Sequence, residues 1–212
     1  APFVNVNRSG KGAEPYSKSE ISRIMRHLWK QVELIRNQEF KGSFREVLGV
    51  YALLIAAKTG RNTSTVLSLK TDCITAHPLS PDTHILLTGF KKRGTNTSVQ
   101  AMRSSSDIED IFTANKTVEN LINEVKMLTA PIRSELDSDS PFLCRKSNQE
   151  PEPFHDKHFW KSVLAIYNKA DLKCDRGQRL RFQVKRMRKT FATRVWQLTG
   201  GDPIKTSKML GN

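Results

Sequence analysis

Hydrophobic residues along this chain recur mostly at helical spacing. Ile21, Ile24, Leu28, Val32 and Ile35 follow one another at intervals of 3, 4, 4 and 3. That puts them on one face of an amphipathic helix running to about Asn37. Ser17-Lys-Ser-Glu20, just before the stripe, has the form of a capping box and sets the helix start. Gly42-Ser43 interrupts the chain. Phe44 to Lys58 is then apolar nearly all round, which predicts a buried central helix, ended by Thr59-Gly60. A short helix or turn covers Arg61 to Leu69. Val118, Leu121, Ile122, Val125 and Leu128 mark another helix, which Pro131 is expected to stop. Residues 133–153 read as a polar, proline-containing loop. Phe154 to Leu172 is helical in pattern, with Phe159, Val163, Ile166 and Ala170 on one face. Val184, Met187, Phe191, Val195 and Leu198 again follow at 3, 4, 4 and 3, as a stripe facing the core. Gly200-Gly201 supplies the stop, and Asp202-Pro203 the N-cap and first position of a last helix.

Strand character is confined to one region. His84 to Phe90 reads as a strand, Lys91-Lys-Arg-Gly94 as a basic hairpin tip, and Thr95 to Met102 as the return strand. His77-Pro78 and Ser80-Pro81 mark turns before it. Residues 1–16 lack periodicity and read as a linker or disordered arm that includes Tyr16. The expected fold is therefore mainly α with a small antiparallel β-hairpin sheet (α+β), in one domain over residues 17–212. Trp29, Trp160 and Trp196 fall on helical stripes or their edges and are expected to pack in the core or between helices.

Composition narrows the function classes. The 212 residues suit one large domain. The longest uncharged apolar run, Val47 to Ala57, has 11 residues. A membrane span needs roughly 20, so no integral membrane protein is expected. Ala1 to Lys18 has no apolar core of a signal peptide, and the missing initiator Met points to a fragment or processed chain. Cys73, Cys144 and Cys174 are far apart with no CxxC pair, which fits a reducing cytoplasm. His155 and His158, at i,i+3 spacing, could bind a metal with Cys144 or Cys174, but at a helix start they read as cap and surface chemistry. No phosphate-binding glycine loop occurs. Neither metal nor cofactor is expected.

Charge points to the partner. Thirty-five Lys and Arg against 21 Asp and Glu leave a formal net charge of +14. Such a surplus repels itself unless a polyanion is met, and nucleic acid is the first choice. An anionic lipid surface is the second. Between Arg176 and Gly201 there is no acid but eight bases: Arg176, Arg179, Arg181, Lys185, Arg186, Arg188, Lys189 and Arg194. Lys185, Arg188 and Lys189 point away from the stripe that begins at Val184, so they share one surface. Cations held together on a rigid helix call for an anion between them, and a phosphate fits.

Lys185-Arg-Met-Arg188-Lys-Thr-Phe-Ala-Thr193 resembles the tyrosine recombinase (phage integrase) box that reads His-x-Leu-Arg-His-Thr-Phe-Ala-Thr. Downstream, Gly201 to Asn212 is similar to that family's segment ending in Leu-Gly-His. Upstream, Lys58-Thr-Gly60-Arg61 with Ser64, Leu67 and Leu69 resembles the first box, Thr-Gly-Leu-Arg-x-Ser-Glu-Leu. The hairpin at Lys91-Lys92, with Ser98-Val99, is similar to the hairpin bearing the family's lysine, and Ser17 to Leu28 resembles its opening helix. The resemblance spans about residues 16–212, with the boxes in order.

It implies a catalytic domain that breaks and rejoins double-stranded DNA in site-specific recombination or integration, through a 3′-phosphotyrosyl link and without metal. Its partners are DNA and other recombinase protomers in a tetramer; its place is the cytoplasm, on the nucleoid. Arg61 and Arg188 would bind the oxygens of the scissile phosphate, where charge grows in the transition state. Lys92, or its neighbour Lys91, would protonate the leaving 5′-oxygen. Lys185 stands where the family has His, and Asn212 where it has a second His or Trp. Lys91, Arg93, Arg179, Arg181, Arg186 and Lys189 would contact DNA. The first box departs from the pattern: Arg61 comes one residue early and Thr65 replaces Glu. The nucleophilic tyrosine is expected about nine residues past Asn212, because Tyr16, Tyr51 and Tyr167 lie in the arm, a buried helix and a core stripe. The chain is thus read as a catalytic domain cut short of its nucleophile. The alternative is a DNA-binding module with a degenerate recombinase fold and no catalysis.

Overall fold

A computed structural model describes residues 14–76, 78, 84–90, 97–103 and 118–209. Its first helix, α1 (Lys18–Arg36), begins at the expected capping box: the Ser17 Oγ accepts from the Glu20 N–H, and the Glu20 carboxylate accepts from the Ser17 N–H. Ile24, Leu28 and Val32 are fully buried along its stripe. The second, α2 (Phe44–Thr59), is capped in the same way by Ser43 and Glu46. Nearly every residue from Leu48 to Ala56 is shut off from solvent. With no polar face to show, α2 must be covered all round, and it packs against α1, the short α3 (Thr63–Leu67), α4 (Val118–Leu136), α5 (Asp156–Lys169) and α6 (Val184–Leu198). A last helix, α7 (Pro203–Met209), packs against α6, with the Asp202 Oδ1 accepting from the Ile204 and Lys205 N–H groups at 2.9 and 3.0 Å.

The sheet has three antiparallel strands in order: β1 (Ile74–Ala76), β2 (His84–Phe90) and β3 (Thr97–Arg103). Ile74 pairs with Leu87, and Phe90 with Thr97. β2 matches its expected bounds; β3 carries residues 97–102 of the expected return strand, and 95–96 lie outside the described residues. β1 was not anticipated: three residues carry too little alternation to register. Leu87 is fully buried in the main core and Ile85 is 5% exposed, so β2 turns that face inward. The whole is mainly helical with a small antiparallel sheet, as the hydrophobic pattern implies.

Several expectations are corrected. Pro131 does not stop α4, which runs on to Leu136. Buried Ile132 holds the next turn inward, and side-chain hydrogen bonds from both sides of the proline brace the helix. The Arg133 guanidinium donates to Lys126 O at 3.0 Å, and Thr129 Oγ1 donates to Val125 O at 2.7 Å. The supposed loop at 133–153 contains a second hairpin, β4 (Leu143–Arg145) paired with β5 (Pro151–Pro153). Phe142, Leu143 and Cys144 are buried there, a run too short to read as a strand. Tyr16 is not in a loose arm but 4% exposed, in the main core. Trp29 is buried as expected, whereas Trp160 and Trp196 are 47% and 46% exposed, and Leu198, at the end of the α6 stripe, is 73% exposed.

Gly60 ties α2 to α6. It closes α2 in the left-handed conformation (φ 65°), its N–H donating to Ala56 O at 2.9 Å. A Cβ added there would stand 2.4 Å from the Phe191 ring. Gly200 has nearly the same φ, 63°, with nothing near the added carbon. Gly200→Ala is expected to cost about 1–2 kcal/mol through backbone strain alone. Gly60→Ala is expected to cost about 1–3 kcal/mol more, because Phe191 must shift. Urea denaturation of both variants checks this; equal midpoints would show that the Gly60–Phe191 contact yields freely.

Asp175 joins the turn after α5 to the start of α1, accepting from Ser17 Oγ at 2.5 Å, Ser19 Oγ at 2.7 Å and the Arg23 guanidinium. These hydrogen bonds hold its carboxyl down at about 2, against an ordinary 3.8. A depressed carboxyl stabilises the fold above its unfolded value and loses that contribution as pH falls through the folded one. Asp175→Asn should therefore flatten the fall in stability between about pH 4 and 2, measured by urea midpoint against pH; an unchanged acid limb would contradict the linkage.

Candidate functional site

The end of α2 and the start of α6 bring the expected cations to one side of the molecule. Arg61 follows the Gly60 cap directly, so that turn fixes where its side chain leaves. The chain is 4% exposed at Arg61, and its guanidinium lies under β2, with Nη2 donating to Leu87 O at 3.0 Å. Gly89 makes room for it: a Cβ there would stand 2.7 Å from Nη1. Burial draws the Arg61 pKa down; Cys73 nearby opposes this, and the positive charge of Arg188 adds to it. Arg188 in turn donates through Nη1 to the Asn62 side chain. The two guanidiniums of the first and second boxes thus meet across one junction, with Asn62 as the neutral group between their elements.

Beside this junction opens a cavity of about 480 Å³, lined by Asn62, Ser64, Trp160, Phe182, Lys185 and Arg188 among others. Lys185 is exposed, and Arg188 half-buried. The walls combine two cations, hydroxyl and amide donors, and two aromatic rings. Arg61 does not line it; it lies behind Asn62, seated against the strand that leads to residues 91–96. An anion in the cavity would meet the Arg188 fork and the Lys185 ammonium directly and feel Arg61 through the field.

The remaining expected residues divide. Lys189 is exposed on α6. Arg181 is exposed beside Trp160, Leu164 and Tyr167, around a second cavity of about 460 Å³. Arg179 is turned to the protein itself: its guanidinium donates to Tyr167 O and Asn168 O at 3.0 and 2.8 Å and lies 4.3 Å from the Tyr167 ring centroid, capping the end of α5. Arg186 is likewise engaged inward, donating to Glu14 O at 2.9 Å, pairing with Glu20 at 3.2 Å and lying 4.0 Å over the Tyr16 ring. Arg186 thus helps to hold the segment before α1 against α6. Lys91, Lys92, Arg93 and Asn212 lie outside the described residues.

Tyr16 is part of the same clasp. Its hydroxyl donates to Arg181 O at 2.5 Å and accepts from the Gln183 N–H at 2.8 Å; its own N–H donates to Thr190 Oγ1 at 2.8 Å. Burial pushes its pKa up to about 12. Tyr51 Oη donates to Glu124 at 2.7 Å, and burial raises its pKa too. Neither phenol is presented to the cavity. Sequence reading missed Asn62, Trp160 and Phe182 as cavity walls. Asn62 had one signal, its place beside Arg61; the two aromatics had none.

No family model and no curated protein matches the chain. Among solved structures it is similar to the XerH site-specific recombinase bound to its difH substrate in a pre-cleavage complex, with a TM-score of 0.58 and 18% identity. It is also similar to XerH bound to palindromic difH in a post-cleavage complex, with a TM-score of 0.61 and 19% identity. These likenesses cover 95% and 98% of this chain but 48% and 49% of the other, so the chain spans about half the length of each neighbour. The shared feature is the fold.

Tyr16→Phe removes the hydroxyl that serves both Arg181 O and the Gln183 N–H. It should lower stability by about 1–3 kcal/mol, since partly buried groups lose their partner. An unchanged urea midpoint would show that the two hydroxyl bonds add nothing to holding the start of α6.

Proposed function

We propose that this chain is the DNA-cutting core of a tyrosine-type site-specific recombinase, and that the cavity beside Asn62 receives a backbone phosphate of duplex DNA. One observation carries the reading: Arg61, Lys185 and Arg188, from two ends of the chain, stand at one junction with nothing anionic among the cavity-lining groups but Asp156. The recombinase-like fold and the net charge of +14 support it.

In this reading Arg188 binds a non-bridging phosphate oxygen through its fork while Asn62 holds its other edge. Attack on the phosphodiester makes phosphorus five-coordinate and gathers charge on those oxygens, which a fixed guanidinium favours over the ground state. Lys185 adds positive charge at the rim. Arg61, already desolvated, raises the potential from behind and aligns β2, whose continuation carries Lys91 and Lys92. One of these protonates the leaving 5′-oxygen. The nucleophile is a tyrosine other than Tyr16, Tyr51 and Tyr167, and the protein works with other protomers on DNA.

The engagement of Arg61 with Leu87 O favours a second reading, a DNA-binding module of this fold without catalysis. The two separate on a nicked duplex that traps the covalent intermediate, tested with the longest gene product. The recombinase forms a protein–DNA adduct with Mg²⁺ left out and gains nothing from its addition; the module forms none.

Arg188→Glu should weaken duplex binding at low salt by about tenfold or more and reduce the slope of log affinity against log salt by about 1, as one phosphate contact is lost. Fluorescence anisotropy at several salt concentrations measures both. Wild-type affinity in the variant would remove the phosphate from this cavity.

A further inference from the structure

The hairpin that sequence reading took for a loop brings three metal-ligating side chains together. Cys144 of β4, Glu152 of β5 and His158 of α5 point their donor atoms at one spot, all within 4.8 Å of one another. Cys144 Sγ stands 3.8 Å from Glu152 Oε1 and 3.9 Å from His158 Nδ1; His158 Nε2 stands 3.5 Å from Glu152 Oε1. Cys144 is fully buried, and the His158 and Glu152 side chains are 14% and 17% exposed. Phe154 lies against the imidazole, with ring centroids 6.0 Å apart.

We infer that Cys144, Glu152 and His158 form a binding site for a divalent cation of the zinc type, clipping the β4–β5 hairpin to the start of α5. The donor set is the first argument. One sulfur, one imidazole nitrogen and one carboxylate oxygen suit a borderline-soft, tetrahedral ion and disfavour Mg²⁺ or Ca²⁺, which require oxygen. The spacing is the second: ligand atoms about 2.0–2.3 Å from a tetrahedral zinc stand roughly 3.2–3.8 Å apart, and the three donors, with a single ring nitrogen of His158, lie within 4.8 Å of one another, so a small turn of the imidazole closes the set on one ion. The third is rigidity, because the ligands sit on paired strands and on a helix packed against α2.

Arg45 is the group that faces the cluster. Its Nη2 lies 2.7 Å from both Glu152 Oε1 and Arg145 O. A bound Zn²⁺ is neutralised by the thiolate and the carboxylate, and the thiol proton leaves to solvent. Arg45 keeps its bond to Arg145 O and holds the carboxylate as an outer partner, an arrangement common around metal ligands. Water or the exposed His155, whose ring centroid stands 6.0 Å from that of His158, fills the fourth corner. His158 is on the opposite side of α5 from Asp156 and Trp160, which line the phosphate cavity, so the cation stands apart from the proposed DNA chemistry.

The test is titration of the metal-stripped, reduced chain with Co²⁺ and Zn²⁺. One equivalent of Co²⁺ should produce a sulfur-to-cobalt charge-transfer band with the visible bands of a tetrahedral site, and Zn²⁺ should abolish both. Zn²⁺ should also raise the thermal midpoint in a concentration-dependent way. Cys144→Ser should lose the charge-transfer band, and His158→Gln should weaken Zn²⁺ binding at least about tenfold while its far-ultraviolet circular dichroism stays that of wild type. Cys73→Ser and Cys174→Ser should bind as wild type. Absence of the charge-transfer band in the wild type, or wild-type affinity in His158→Gln, overturns the site. If Cys144→Ser does not fold, the His158→Gln result decides.

Discussion

A helix without a polar face must be wrapped, and α2 imposes that requirement on everything around it. Residues from Leu48 to Ala56 are closed off on all sides, so α1, α4, α5 and α6 each commit an apolar stripe to the same axis. The ends of α2 inherit the consequences. Its C-terminal turn is held by Gly60 against Phe191 of α6, and the residue that follows is Arg61. A charged side chain thus leaves the most buried element of the molecule and meets a carbonyl of β2 rather than open water. The packing of one apolar helix brings the first cationic box against the second.

Holding such cations together works against folding, because burial and the field of Arg188 both disfavour the charge on Arg61. The fold answers with neutral dipoles: the Leu87 carbonyl on one guanidinium and the Asn62 side chain on the other. Neither group removes positive charge, so the potential stays available to an anion in the adjoining cavity. Several cations that serve as structure carry acidic partners. Arg186 has Glu20, Arg36 has Glu124 and Arg45 has Glu152.

The segment ahead of α1 belongs to the same mechanical unit. Tyr16 is threaded between Arg181 O, the Gln183 N–H and Thr190, and the Arg186 guanidinium covers its ring. The start of α6, which has no side-chain cap of its own at Gln183, is thereby anchored from outside. Lys185 and Arg188 lie within the two turns so anchored.

Local chemistry was written plainly in the residues. The capping boxes at Ser17 and Ser43, the Asp202-Pro203 start and the stripes of α1, α5 and α6 depend on neighbours within one or two turns, and each was legible. So was the continuous apolar run that makes α2 central. The continuation of α4 through Pro131 was not, because buried Ile132 and the side-chain hydrogen bonds of Thr129 and Arg133 outweigh a local helix breaker. Nor was the inward engagement of Arg179 and Arg186: a basic residue reads the same in sequence whether it meets solvent or a carbonyl, and that choice lies with segments 12 to 172 residues away. The same holds for Cys144, Glu152 and His158, whose meeting needs a hairpin too short to show a period of two. Sequence alone determined the helices, their starts and the excess of positive charge, since these follow from nearest neighbours and counting. Tertiary structure alone decided which cations converge and which are spent on the fold, since that depends on where distant elements bury one another.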